Sequence, residues 1–266
     1  PTEWLFVDDG STDDTKAIIE SYAEDHPWIR VVSRENRGFR QLGSGVIAAF
    51  NDGRERLEYQ DYVYIAKLDG DMSFPPRYLE VMLQRLEDEP DLACVSGKVF
   101  RPEGDRLVEE RIIDEMVAGQ FKLYKRSAFE KIGGFPQTIL WDGIDIHRCR
   151  MAGYSTLSFD DPDARLFHHR LMGSSDRNVF KGRVRLGKGI WFMGYHPFYA
   201  IASGVYRMHE RPYIIGGLII IFSYFYAAIR QEDRYDDKTF IRELQKWQLG
   251  KLKALPRKLL RGRVRG

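Results

Sequence analysis

Two groups of acids follow two apolar runs. Asp8-Asp9-Gly10-Ser11 comes directly after Trp4-Leu5-Phe6-Val7, and Asp69-Gly70-Asp71 directly after Tyr62–Leu68. Both runs read as strands. In open parallel α/β sheets, ligands bind outside the carboxyl ends of the strands, so both groups would open onto one edge. Four carboxylates gathered there repel one another unless a cation joins them. A divalent metal carrying a diphosphate meets that need and points to a nucleotide-sugar site. An Asp at a strand end can accept from a uracil-type N–H or a ribose hydroxyl, and Gly10 permits a tight turn. Asp69 and Asp71, two apart with Gly between, can converge on Mg2+ or Mn2+ and leave room for phosphate oxygens. Either group alone is also what an acidic cap or a solvated turn looks like. Their pairing, each behind an apolar strand, sets them apart.

The elements that must position these groups alternate. Ser11 or Thr12 can cap a helix with Asp13 and Asp14 in its first turn. Ile29–Ser33 reads as a strand, Ser44–Leu57 as a helix and Tyr62–Leu68 as the next strand. Ser73 can cap a helix that starts at Pro75-Pro76 and stops before Pro90. Leu92–Ser96 follows as a strand, Ser127–Ile132 as a short helix, and Ile144–Ala152 as a helix closed by Gly153. Ser155–Phe159 and Ala164–His168 read as short strands. This order predicts an α/β fold with a mostly parallel sheet flanked by helices.

The motifs resemble those of family 2 glycosyltransferases with the GT-A fold, a Rossmann-related architecture, over Pro1 to Ser175. Asp8-Asp9-Gly10-Ser11 is similar to the family's first signature and Asp69-Gly70-Asp71 to its DxD motif. Gly119 to Phe135, ending in Gly133-Gly134-Phe135, resembles the acceptor-side segment. Trp141-Asp142 stands where members commonly carry Glu-Asp, with Arg148 six residues beyond that Asp and Gly153-Tyr154 further on. The resemblance implies Asp142 as general base, with Asp145, one helical turn on, as second choice. It implies Asp8, Asp9, Gly10, Ser11 and Asp69 around the nucleotide. Asp71 and Asp69 would hold Mg2+ or Mn2+, with His168 or His169 as a further ligand, for which a neutral imidazole is suited. Acidic turns, helix caps and a surface His pair are the ordinary explanations for the same residues.

Three departures stand out. The family's first strand and its loop are not found ahead of the Trp4–Val7 strand, so the chain reads as an N-terminally truncated member. Its Ala-Arg-Asn is replaced after Asn36-Arg37-Gly38, which leaves Arg40 as a substitute for the Arg. No Gln-x-x-Arg-Trp of processive synthases occurs, which argues for single-sugar transfer. The expected activity is inverting transfer from a UDP-, GDP- or dTDP-sugar to a glycan or lipid-linked acceptor, in glycan, exopolysaccharide or cell-envelope synthesis.

Two other functions fit parts of the chain. Asp69-Gly70-Asp71-Met72-Ser73 approaches the Asp-x-Asp-x-Thr of haloacid-dehalogenase-type phosphatases, with Asp160-Asp161 as a later acidic pair. That leaves the first acidic group idle. A non-catalytic membrane-surface adaptor is the third.

Composition bounds the rest. Of 266 residues, 43% are hydrophobic, and 41 basic against 39 acidic residues give a net charge of +2, so no global nucleic-acid signal exists. Cys94 and Cys149 suggest neither a disulfide framework nor a zinc site, and a reducing compartment fits. No signal peptide is visible. From Ile190 to Tyr206 there is no Lys, Arg, Asp or Glu, and Tyr213–Ile229 is a second uncharged run. As a helix the latter spans about 25 Å, short of a bilayer core of about 30 Å. It reads as a buried core helix or an interfacial segment. After Glu243 there is no acid, while eight Lys or Arg run from Lys246 to Arg265. The expectation is a glycosyltransferase domain over 1–175 and a helical, apolar and basic region over 176–266. The latter would lie on an anionic membrane surface, at the inner face of the cytoplasmic membrane.

Overall fold

The computed structural model describes residues 1–36, 38, 43–104, 106–110, 112–169 and 179–262, with side chains through residue 254. Arg40 and the basic side chains beyond Lys253 lie outside the described residues. Contacts divide the chain into two units, Pro1–His169 and Arg170–Gly266.

The first unit alternates strands and helices: β1 (Trp4–Asp8), α1 (Thr15–Asp25), β2 (Ile29–Ser33), α2 (Ser44–Glu55), β3 (Tyr64–Leu68), β4 (Met72–Ser73), α3 (Tyr78–Asp88), β5 (Leu92–Gly97), β6 (Val99–Glu103), β7 (Arg106–Glu109), β8 (Phe121–Lys125), α4 (Arg126–Lys131), α5 (Trp141–Met151), β9 (Ser155–Phe159) and β10 (Leu166–His168). β1 and β2 pair in parallel. A four-stranded sheet runs β3-β8-β5-β9, and a second runs β4-β10-β6-β7. The fold is α/β, with a more even strand mixture than the sequence suggests. Among the described strands, β1–β2, β5–β9 and β6–β10 are parallel and the other four pairings antiparallel. No helix lies between β5 and β8, so no crossover returns the chain, and β8 comes back antiparallel.

Alternation along β8 explains the core. Phe121 and Leu123 face Tyr78, Met82 and Leu86 of α3, which recur every four residues on one helix face. Tyr124 faces the other side, among Phe129, Phe135, Trp141 and Cys149. β5 is buried along its whole length, as befits a strand covered on both faces.

Two helix starts differ from expectation. Ser11 and Thr12 do not cap α1, which begins at Thr15. Ser11 N donates to Asp8 Oδ1 (2.9 Å), which holds the turn off the helical path; Asp14 is the N-cap, and Asp13 just ahead of it accepts from Thr15 N (3.1 Å). Ser73 caps no helix. It lies in β4, and α3 starts only at Tyr78.

The second unit is helical: α6 (Val179–Phe192), α7 (Pro197–Tyr206), α8 (Tyr213–Ile229) and α9 (Lys238–Gly262). Glycines let backbones meet. A Cβ on Gly187 of α6 would stand 2.4 Å from Ile220 O of α8, and one on Gly217 would stand 2.4 Å from Gly204 O of α7. Ile190, Ala200, Ile220 and Tyr224 form the buried cluster. α8 is neither wholly core nor wholly surface. Gly216, Ile220, Tyr224 and Ala227 are buried, while Ile214, Leu218, Phe222 and Ile229 are exposed. Among the described residues, no helix is long and apolar enough to cross a membrane.

Candidate active site

The turn after β1 is built around Asp8, Asn36 and Arg34. Asp8 is buried and accepts from Ser11 N. Gly10 has φ +85°, and a Cβ there would lie 2.6 Å from Asn36 Cα, so only glycine fits. Asn36 Nδ2 donates to Gly10 O (2.8 Å). Asp9 is exposed and pairs with Arg34 Nη1 (2.7 Å).

The turn after β3 is tied to the segment before β8. Asp69 N donates to Gln120 O (2.8 Å). The Asp69 carboxylate accepts from Lys67 Nζ, which also donates to Gly119 O (2.7 Å). Gly119 in turn underlies Asp142, because a Cβ on Gly119 would stand 2.9 Å from Asp142 Oδ2. Thus the two ends expected to share one reaction are joined through Lys67 and Gly119. Asp69 thus already has an ammonium partner.

Asp71 faces His168. His168 Nε2 lies 3.7 Å from Asp71 Oδ2, and its Nδ1 lies 3.1 Å from Glu110 Oε1. The strands dictate this pairing: His168 is the register partner of Met72, next to Asp71. His169 is set differently. It is exposed, its N donates to Asp71 O (2.9 Å), and its Nε2 meets Ser73 Oγ (2.8 Å).

Asp142 sits half-buried in the first turn of α5. Asp145 does not share its setting. It is fully buried, with both oxygens on Lys122 Nζ (2.6 and 2.9 Å) and Oδ2 accepting from Tyr124 Oη (2.6 Å). Burial raises its carboxyl above the ordinary value, while Lys122 and Tyr124 act to lower it. No acceptor reaches a carboxylate sealed in this way, so the second choice of base is corrected to a structural ion pair. Lys122 also donates to Asp142 O (2.9 Å), fixing the start of α5. The Lys67 and Lys122 ammonium groups lie 5.1 and 5.3 Å from the centre of the Trp141 ring.

Among the described residues, no group of three His, Cys, Asp or Glu converges to hold an ion alone. Asp71 and His168 nevertheless fit a divalent cation that shares its shell with phosphate. One or two carboxylates plus phosphate oxygens are the usual arrangement for Mg2+, and Asp71 is such a carboxylate, with His168 beside it. Ligands at about 2.1 Å from one ion stand about 3 to 4 Å apart.

Lys67, Lys122 and Glu110 were not singled out from sequence. Lys67 inside an apolar strand is a readable signal, since a buried ammonium needs a partner. Glu110, in a charged stretch, gives none. The phosphatase's late acidic pair is occupied locally: Asp160 binds Arg165 (2.8 and 3.1 Å), and Asp161 accepts from Asp163 N (2.8 Å).

Residues 1–141 match the family model described as glycosyl transferase family 2. Over 148 residues the chain is 28% identical to a chondroitin synthase of Escherichia coli, covering 52% of this chain and 20% of that protein. Over 150 residues it is 31% identical to the putative glycosyltransferase EpsH of Bacillus subtilis (strain 168), covering 55% and 40%. The chain thus spans well under half the length of these curated relatives. Among solved structures, GalNAc-T7 with UDP, GalNAc and Mn2+ is similar with a TM-score of 0.52 at 13% identity, over 91% of this chain and 51% of that one. That likeness establishes a GT-A-type fold.

Proposed function

The chain belongs to glycosyl transferase family 2, and we propose that it transfers one sugar, with inversion, from a nucleoside diphosphate donor to an acceptor hydroxyl. Asp71 and His168 hold Mg2+ or Mn2+ together with the donor's diphosphate. When bound, the cation neutralises charge on the departing nucleoside diphosphate. Asp142 accepts the acceptor's hydroxyl proton as that oxygen attacks the anomeric carbon, and a single displacement inverts the centre. Asp9, with Asp8, Gly10 and Ser11, forms the nucleoside end, and Asp69 lies towards the ribose. The observation that carries this assignment is the Asp69–Lys67–Gly119–Asp142 linkage beside the Asp71–His168 pair. It supports a reading in which the acid at the diphosphate and the acid at the acceptor are tied into one frame.

The donors to test are UDP-, GDP- and dTDP-sugars. The acceptors to test are glycan or lipid-linked, with a place in polysaccharide or envelope synthesis, and the similarity to a chondroitin synthase supports the glycan. Sugar transfer that persists in Asp71→Asn would contradict the metal assignment. Hydrolysis of generic phosphate esters without sugar transfer would instead favour the phosphatase.

The second unit supports a peripheral position on the inner face of the cytoplasmic membrane. Phe198, Ile201 and Val205 of α7 and Ile214, Leu218 and Phe222 of α8 are exposed at helical spacing. Such faces mark membrane or protein contact. The eight basic residues from Lys246 onward add attraction to an anionic surface.

A further inference from the structure

Glu110 follows β7 and is nearly sealed from solvent, with 3% of its side chain exposed. A carboxylate removed from water needs partners on both oxygens. Glu110 has them: Oε1 faces His168 Nδ1 (3.1 Å), and Oε2 accepts from Gln120 Nε2 (3.2 Å). Its backbone is fixed as well, since Glu110 N donates to Val99 O (2.8 Å) on β6, the strand beside β10.

We propose that Glu110 is a positioning residue for the divalent cation, acting through His168. The inference rests on the metal assignment above. With Glu110 as the acceptor in this contact, the proposed arrangement puts the His168 proton on Nδ1. Nε2 then presents a lone pair on the side of Asp71. A carboxylate that fixes the tautomer and ring of a ligating histidine also raises its basicity, and losing such a partner typically lowers metal affinity about 10- to 100-fold. Gln120 adds a further link, because Gln120 O holds Asp69 N while its side chain holds Glu110. One residue therefore joins Asp69 of the DxD turn to the histidine's support.

The test measures Mn2+ uptake by electron paramagnetic resonance, with UDP, GDP or dTDP as the added diphosphate. Glu110→Ala should weaken Mn2+ binding about 10- to 100-fold. Glu110→Gln, which keeps an acceptor for Nδ1–H, should recover most of that loss. A merely structural Glu110 predicts equal Mn2+ affinity in the folded fraction of both variants, and that result overturns the inference. If Glu110→Ala does not fold, two-bond 1H–15N spectra of the unsubstituted protein decide. They should show the His168 proton on Nδ1 and none on Nε2, and a proton on Nε2 overturns the inference. Should the unsubstituted protein take up no Mn2+ with any of the three nucleotides, the metal assignment falls and this inference with it. Should it take up Mn2+ and Glu110→Ala match it, only this inference falls.

Discussion

In Pro1–His169, charged groups are drawn inside. Lys67, Lys122, Asp145, Glu110 and His168 are all buried, each with a partner of stated geometry. In Arg170–Gly266 it is apolar groups that are left outside, with Phe198, Phe222 and Ile229 more than two-thirds exposed. Both arrangements run against the rule that apolar groups go in and charges stay out. Each has a physical use. Buried, fully partnered charges hold reacting groups rigidly in place. Exposed apolar faces gain free energy only when another surface covers them.

The sharpest way to break this contrast is to separate the two carboxylates of α5. Asp142→Asn should lower kcat about 100- to 10,000-fold while leaving fold and donor binding nearly intact. Asp145→Asn should act on stability instead. It leaves Lys122 buried without its counter-charge, and urea unfolding should show a loss of about 3 to 5 kcal/mol. If Asp145→Asn is stable and inactive while Asp142→Asn is active, the assignment of base and structural acid is reversed.

Gly119→Ala sharpens the same point at smaller cost. The new Cβ would push the Asp142 carboxylate aside, and a misplacement near 1 Å costs about a hundredfold in rate. An unchanged kcat would show that Asp142 tolerates the shift.

For the second unit, Phe222→Glu should weaken co-sedimentation with anionic liposomes at least about tenfold, since a buried Phe contributes roughly 1.5 kcal/mol or more. Equal sedimentation of the two proteins would show that this face meets no lipid.

The smallest effect concerns pH. His147 is buried, and its Nδ1 is occupied by Arg150 Nη1 (2.5 Å), so burial and that guanidinium push its pKa from 6.5 down to about 3. The unfolded chain takes up this proton near pH 6.5 and the folded one does not. Stability therefore falls as the pH drops below 6.5, by about 1.4 kcal/mol at about pH 5.5. His147→Gln should flatten that part of the urea-midpoint profile, and an unaltered slope would assign it to other groups.

Much of this was legible in the sequence, for identifiable reasons. β2, β9 and α8 fall at the bounds that their apolar runs and punctuation predict. β8 escaped because Phe-Lys-Leu-Tyr-Lys puts a lysine on a buried face, and only Asp145, more than twenty residues on, makes that tolerable. Asp71 was visible from its place behind an apolar strand, and Asp142 from the family resemblance. Their supports were not, because Gly119, Glu110 and Lys122 acquire meaning from residues distant in sequence.

Calorimetric titration of UDP-, GDP- and dTDP-sugars, with and without Mn2+, tests the central claim most directly. The account predicts that one donor class binds in a Mn2+-dependent manner, that Asp71→Asn abolishes this binding, and that Asp142→Asn retains it. Binding that is indifferent to Mn2+ and to Asp71→Asn, or no binding by any class, would contradict it.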